Sequence, residues 1–466
     1  MILPRRITAQ GLLLLTLLAS PSSHAAPDDC AARRSSLDGA LDAAGFVDPR
    51  HDRSRVSPWV RRDPFLAAEL DSARARQDDD ATAVIVRAMA ALDTEALERE
   101  AGPETAQALE RCRNRAVDAL LANPAALQAL AEEPVPDGYS DLQRLFGAYP
   151  LARPFLRAGA ARWRSRERAA IARGAPPPTL VQAPAGEGLS PAEVARILAA
   201  LRAGHPLAWP VADAAALARL GPAFAPEFAT DRDAPEARIG RLSGRDGRPV
   251  VDTSEPVAYL DATLVRWGDH VLLQLAYTVW FTERPRSGLL DPYGGAVDGL
   301  VLRVTLGDDG RPLLWESIHP CGCYYTVFLP EDRPLRYDAP AGGLEAALAL
   351  PGPAAQGRVR LQHTPGTHYA RGLVGARPAG AARRVVYALR PYAELLARGP
   401  ERPPFDRHGI LAGTQRLERL FLWPSGIRSP GAMRSAGRQA TAFLGRRRFE
   451  RSELLGGRLR PAPARP

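Results

Sequence analysis

Residues 271–281 read VLLQLAYTVWF, and residues 300–318 read LVLRVTLGDDGRPLLWESI. In the first segment apolar side chains occupy every second position from Val271 to Phe281, while Gln274 and Thr278 fall on the other face. In the second segment the residues GDDG separate two apolar runs, which is typical of a hairpin turn. A period of two is the period of a β-strand, because successive side chains point to opposite faces of a sheet. The pattern therefore predicts consecutive antiparallel strands.

The regions on either side of this segment indicate the fold class. Further strands are predicted at 324–329, 359–362 and 385–389, and short strands in this order favour a sandwich or a curved sheet over residues 236–450. Residues 26–175 instead form Ala- and Leu-rich segments with apolar residues every three or four positions. We therefore expect an α+β protein, with a helical N-terminal region and a mainly antiparallel, β-rich C-terminal domain.

Residues 176–235 connect these two regions. They begin with a proline-rich linker. Ser190, Pro191 and Glu193 then match a capping box, which predicts a helix that ends before Gly204. At the other end of the chain, residues 451–466 are basic and are predicted to form a flexible tail.

Residues 1–25 have the pattern of a secretion signal. Arg5 and Arg6 are followed by a short apolar run and by small residues that end at Ala25. The apolar run is too short to span a bilayer, and no later apolar run reaches the roughly 18 to 20 residues that a membrane helix needs. We therefore expect a periplasmic or secreted protein with no transmembrane helix once the signal is removed.

The four cysteines are too few for a disulfide-dense scaffold. An exported protein can form disulfides, and a bond between Cys30 and Cys112 in the helical region is the simplest pairing. Four cysteines nevertheless allow three connectivities, and the sequence does not choose among them.

The charge composition says little about partners. All 61 basic residues are arginine, against 52 acidic residues, for a net charge of +9. Arginine used throughout in place of lysine fits the codon bias of a GC-rich genome, and acidic residues are interspersed over most of the chain. We therefore expect no specific nucleic-acid partner, and an unidentified small molecule or envelope component instead.

The most chemically informative stretch is ESIHPCGCYY at residues 316–325. Proline and glycine predict a turn at the end of a strand, and this turn collects His319, Cys321 and Cys323 within five residues. Thiolate and imidazole are preferred ligands of zinc and of monovalent copper. The stretch therefore predicts a metal site for zinc or copper.

The remaining ligands of such a site would come from another loop. His363 and His368 lie five residues apart in the sequence and could both face the turn. Glu316 precedes the turn and could act as a catalytic base or orient a ligating imidazole. Three protein ligands and a water would allow hydrolysis, whereas four would form a closed structural site.

Two other interpretations of the Cys-Gly-Cys sequence stay open. Cys321 and Cys323 could form a strained, redox-labile disulfide, or they could be buried structural thiols. Three functional hypotheses follow: a metal-dependent envelope hydrolase, a non-catalytic envelope module with a structural Cys/His clamp, and a thiol-redox protein.

Two stretches of the chain resemble a group of uncharacterised exported proteins of proteobacteria. The first is IHPCGCY at 318–324, within the block 280–328, and the second is FLWPSGI at 421–427 with the residues that follow it. The resemblance covers roughly residues 255–450 and implies export, but no particular activity.

Overall fold

The computed structural model describes residues 27–186, 188–338, 347–378, 380–440, 448–450, 455 and 457–462. The predicted signal at 1–25 lies outside these residues, as does most of the predicted tail. Leu459–Pro461, within that tail, is an ordered strand that pairs with Leu335–Tyr337, and its Leu459 is fully buried.

The N-terminal region is helical, as its sequence pattern predicts. Pro103 and Pro124 stand at the first position of their helices, where the missing N–H breaks no hydrogen bond. The helices of this region are α1 (Pro27–Ala44), α2 (Pro64–Ala75), α3 (Asp79–Ala101), α4 (Pro103–Ala108), α5 (Glu110–Leu121), α6 (Pro124–Glu132), α7 (Asp141–Phe146) and α8 (Tyr149–Ala172).

The predicted disulfide is present, and it joins α1 to α5 between Cys30 and Cys112. Later in the described part of the chain come the α-helices α9 (Pro191–Ala203), α10 (Ala214–Phe224) and α11 (Arg419–Leu422). The capping box predicted for α9 is confirmed, because the Ser190 side chain and Glu193 each accept the other's backbone N–H, and α9 is capped by Gly204.

The strands confirm the period-two pattern of the C-terminal part. They are β1 (Asp52–Arg53), β2 (Arg61–Arg62), β3 (Leu180–Pro184), β4 (Glu227–Thr230), β5 (Ile239–Arg245), β6 (Arg248–Asp252), β7 (Val257–Trp267), β8 (His270–Arg284), β9 (Gly295–Leu306), β10 (Pro312–Ile318), β11 (Thr326–Pro330), β12 (Leu335–Tyr337), β13 (Leu348–Gly352), β14 (Val359–His363), β15 (Ala370–Gly375), β16 (Arg383–Pro391) and β17 (Leu459–Pro461).

Most of the strands join one large mixed sheet. Its order is β13-β11-β10-β9-β8-β7-β16-β3-β4-β14-β15, with β5 and β6 attached at β8. The sheet curls until its edge strands β13 and β15 lie close together, so that it is nearly barrel-shaped. The apolar face of α9 and α10 packs onto this sheet in the largest core cluster.

The expectation of a mainly antiparallel sheet is only partly right. The meander from β7 to β11 is antiparallel, as the hairpin signals indicate. However, β16 pairs in parallel with both β3 and β7, and β4–β14 and β11–β13 are also parallel. Strand β3 lies in the stretch predicted as a linker and is buried throughout. These pairings join segments far apart in the chain, and hydrophobic periodicity carries no information about which strands pair.

The register of the sheet brings the informative turn next to the start of β9. Phe281 pairs with Asp298 and Ile318 pairs with Val301. The turn after β10 therefore lies beside Asp298, and a side chain at Gly299 would lie within 2.7 Å of the Pro320 ring. Glycine at this position permits the close approach of strand and turn.

Candidate functional site: a dithiol cavity

The turn after β10 places two thiols side by side. Gly322 donates its N–H to the His319 carbonyl at 2.8 Å, and His319 donates to the Cys323 carbonyl at 3.1 Å. Gly322 has φ +88°, and a side chain there would overlap the backbone of Ala440. Glycine is required here because an L side chain would meet both a strained backbone and a steric clash.

Cys321 and Cys323 are both free thiols. The Cys323 thiol hydrogen-bonds to Cys321, and this bond, together with burial and with the charges of Cys321 and Glu418, raises the pKa of Cys323 well above its usual value. Cys323 therefore keeps its proton at neutral pH.

Both thiols line a cavity of about 640 Å³. The cavity lies between the turn after β10, the loop before β15, helix α8 and the segment around α11. Its inner wall is aromatic: the Tyr324 and Tyr369 rings are 4.4 Å apart, and Trp163 of α8 lies 5.3 Å from Tyr324. The size and the mainly apolar wall are typical of a small-molecule site.

A carboxyl group belongs to the same cavity wall. Glu418 is 5% exposed, and burial raises its pKa to about 7 in spite of the charges of Arg284 and Arg416. Its Oε1 lies against Gly431, where a side chain would overlap it. Glu418 therefore exchanges a proton near neutral pH, and it interacts electrostatically with Cys323.

Two buried arginines border the site. Arg434 is 3% exposed, interacts electrostatically with both thiols, and donates to the carbonyl of Cys321 at 3.5 Å. Arg284 donates to the hydroxyls of Tyr369 and Tyr324 at 2.8 and 3.3 Å. The Arg434 charge opposes the rise in the pKa of Cys323, although the other causes outweigh it, whereas Arg284 orders the aromatic wall.

Two of the three histidines predicted as metal ligands, His319 and His368, instead contact Asp298. The His368 Nδ1 lies 2.8 Å from Asp298, and its Nε2 lies 2.8 Å from the carbonyl of Glu236. Both partners of His368 are hydrogen-bond acceptors, a carboxylate and a backbone carbonyl. His319 places its Nδ1 3.5 Å from Asp298 and its Nε2 3.2 Å from the His368 carbonyl.

The electrostatics of this cluster follow from its burial. Burial opposes ionisation of Asp298, but the charges and hydrogen bonds of His319 and His368 outweigh it and hold the Asp298 pKa well below its usual range. Burial lowers the pKa of His319 and lowers that of His363 to about 3. His363 therefore stays neutral at physiological pH.

The structure thus brings the predicted ligands together in two separate groups. Cys321 and Cys323 touch in the cavity wall, whereas His319 and His368 contact Asp298 behind Tyr324 and Tyr369. The His363 ring lies 6.1 Å from the His368 ring. Within the described part of the chain, no group of three or more His, Cys, Asp or Glu side chains could hold a metal ion.

Glu316, the predicted base, lies in a different environment. It is fully buried and accepts two hydrogen bonds from Arg303, both at 2.9 Å, as well as one from the Tyr325 hydroxyl and one from Gln274 at 3.4 Å. These donors occupy its oxygens and compete with a catalytic use. The pairing with Arg303 favours a structural role for Glu316, and its role as a catalytic base stays a prediction.

Several residues of the site were not found by sequence reasoning. Glu418, Arg434 and Trp163 carry no local motif, and they reach the cavity from segments distant in the chain. Left-handed backbone at the non-glycine residues Tyr324 and His368 also marks the site, but this strain is visible only in the structure.

No protein family, curated protein or solved structure matches this chain. Across the residues that the structure describes, none of the helices combines the length and the apolar character needed to cross a membrane.

Proposed function

We propose that this protein is a thiol–disulfide redox protein that uses Cys321 and Cys323 and works in the periplasm or outside the cell. The observation that carries the proposal is the contact between the two thiols in the wall of a cavity that they share with Glu418. The Cys30–Cys112 disulfide is compatible with an oxidising compartment.

The roles of the two cysteines follow from the raised pKa of Cys323, which keeps this thiol protonated until the second step. The Cys321 thiol releases its proton to solvent and its sulfur attacks a disulfide in the cavity; the substrate's S–S bond breaks, and the substrate thiolate that leaves takes up a proton from solvent. Cys323 then loses its proton to Glu418 and attacks the Cys321 sulfur, which forms the Cys321–Cys323 bond and releases the second substrate thiol. Two electrons pass from the protein dithiol to the substrate, and in the overall balance the protein dithiol gives up two protons and the two released thiols take up two.

A single residue, Gly322, separates the two cysteines in the sequence. A disulfide between cysteines separated by one residue is strained, and strain makes a disulfide easier to reduce. We therefore expect a reduction potential above about −300 mV, the range below which stable structural disulfides lie. Such a pair would equilibrate with glutathione.

The test first counts the free thiols of the protein and then equilibrates them with glutathione. Unfolded, unreduced protein should contain two reactive thiols, and treatment with glutathione disulfide should remove both with a mass loss that corresponds to two hydrogens. Peptide mapping should then recover a Cys321–Cys323 bond. The matched variants Cys321→Ser and Cys323→Ser should instead each form a mixed disulfide with glutathione. If the two thiols of the folded protein stay reduced in every glutathione buffer, the proposal is refuted and the structural-clamp hypothesis is favoured.

The metal hypothesis uses the same two sulfurs. A soft ion such as monovalent copper prefers sulfur ligands, and two cysteine sulfurs are already adjacent. A third ligand from His319 would require its ring to leave the buried contact with Asp298. Metal analysis of the purified protein separates the hypotheses: stoichiometric zinc or copper that is lost in Cys323→Ser would favour metal binding over redox exchange.

A further inference from the structure

Helices α7, α8 and α11 form a surface with many exposed large apolar side chains. They are packed together, because Ser140 before α7 donates its N–H to the Gly426 carbonyl at 2.7 Å, and Gly147 lies against Pro424. We call the exposed residues of this surface the apolar face. Its members are 38–80% exposed: Leu142, Leu145, Phe146, Leu151, Phe155, Leu420, Phe421 and Trp423.

The apolar face continues directly into the dithiol cavity. Phe155 and Phe421 are exposed on the surface and also line the cavity. The cavity wall follows one side of α8 from Phe155 to Glu167. The mouth of the cavity therefore opens beside the apolar face, and an apolar molecule could pass from one to the other along Phe155 and Phe421.

The same segment carries a strong positive charge. Residues 141–173 contain eight arginines against two acidic residues, Asp141 and Glu167, although acidic and basic residues are nearly balanced over the whole chain. Glu167 is buried and paired with Arg371 at 2.8 Å, so it does not offset the exposed arginines of α8. Of these, Arg153 and Arg157 are exposed and lie two positions before and after Phe155 in the first turns of the helix.

We propose that the apolar face docks onto the surface of an anionic phospholipid bilayer, with the mouth of the dithiol cavity turned toward the lipid. Large apolar side chains that project from short or interrupted helices can enter the headgroup region, while flanking arginines pair with anionic headgroups. A contiguous exposed patch of this kind marks an interaction surface rather than ordinary protein surface. The charge selects the occupant, because the six exposed arginines of this segment would repel one another across an interface between two copies of this chain.

This inference goes beyond the proposed redox function and does not depend on it. The Cys321→Ser/Cys323→Ser variant lacks both thiols and should bind vesicles like the wild type. Loss of redox exchange with retained vesicle binding would therefore refute only the proposed function, and the reverse result would refute only the docking.

The test is co-sedimentation of the full chain with vesicles of phosphatidylcholine alone and of phosphatidylcholine with about one-third phosphatidylglycerol. The wild type should bind the anionic vesicles, and added salt should weaken this binding. Phe146→Ser/Phe155→Ser should lower the partition coefficient at least about tenfold. Arg153→Gln/Arg157→Gln should lower it about 25-fold on anionic vesicles, at about fivefold for each arginine.

Val386→Ser, at an exposed position of β16 outside the apolar face, is the matched control and should bind like the wild type. Circular dichroism and a urea transition should show that each variant is folded. Equal binding of wild type and Phe146→Ser/Phe155→Ser, or no binding to anionic vesicles, would overturn the proposal. So would a dimer in sedimentation that this variant dissociates, because the face would then bind a second copy.

Discussion

The replacement Glu418→Gln tests the electrostatics of the cavity. The carboxyl of Glu418 ordinarily has a pKa of 4.5, and burial raises it to about 7. Between these two pH values the folded protein holds a proton that the unfolded chain releases. The free energy of unfolding therefore falls as the pH rises from 4.5 through 7, and the difference amounts to about 3 kcal/mol above pH 8.

Glutamine has nearly the shape of a protonated glutamate but does not ionise. Glu418→Gln should therefore match the wild type in stability near pH 4.5 and exceed it by about 3 kcal/mol near pH 8.5. Other groups that titrate in this window, such as Asp63 with its pKa of about 6, are the same in both proteins and cancel in the difference.

The assay is urea unfolding followed by tryptophan fluorescence, with both proteins measured in parallel from about pH 4 to pH 9. Glu394→Gln, which removes a carboxyl that is 48% exposed, is the control and should change stability by less than about 0.5 kcal/mol throughout. In the folded protein, the rate at which iodoacetamide alkylates the thiols should also lose its inflection near pH 7 in Glu418→Gln. A stability difference that does not grow with pH would refute the assigned burial of this carboxyl.

Three further predictions concern the supports of the site. Glu316→Gln leaves the buried Arg303 without its charged partner and should lower the free energy of unfolding by about 3–5 kcal/mol; a folded, stable variant that lacks redox exchange would show instead that Glu316 takes part in the chemistry. Cys30→Ser/Cys112→Ser opens a loop with a sequence separation of 82 and should cost up to about 4.5 kcal/mol in the same urea assay, with glutathione exchange at the other two cysteines unchanged. Gly322→Ala should cost at least about 1 kcal/mol and slow formation of the cavity disulfide, and wild-type kinetics in that variant would contradict the tight turn.

Local patterns predicted much of the secondary structure. The alternation at 271–281 became β8, the GDDG turn joined β9 to β10, and Ser190 capped α9 as its spacing to Glu193 indicates. The Cys30–Cys112 pairing was also correct, although it was chosen only as the simplest of three possible connectivities. These successes share one cause: strand alternation, turns and caps depend on residues that are neighbours in the chain.

Contacts between distant segments could not be predicted from local sequence patterns. Strand β16 lies between β3 and β7, which precede it by more than a hundred residues, and this insertion makes the sheet mixed rather than antiparallel. No periodic pattern encodes such a partner, because a strand that is buried on one face has the same alternation beside a parallel or an antiparallel neighbour.

For the candidate site, the sequence by itself determined that two thiols and an imidazole share one tight turn, because that depends only on residues 319–323 and their proline and glycine. Only the tertiary structure decided how these groups are used. The start of β9 brings Asp298 to His319 and His368, while α8, Glu418 and Arg434 enclose the thiols in a cavity. The physical reason is that charge pairing and desolvation depend on distance in space, which the folded sheet sets and the spacing of residues along the chain does not.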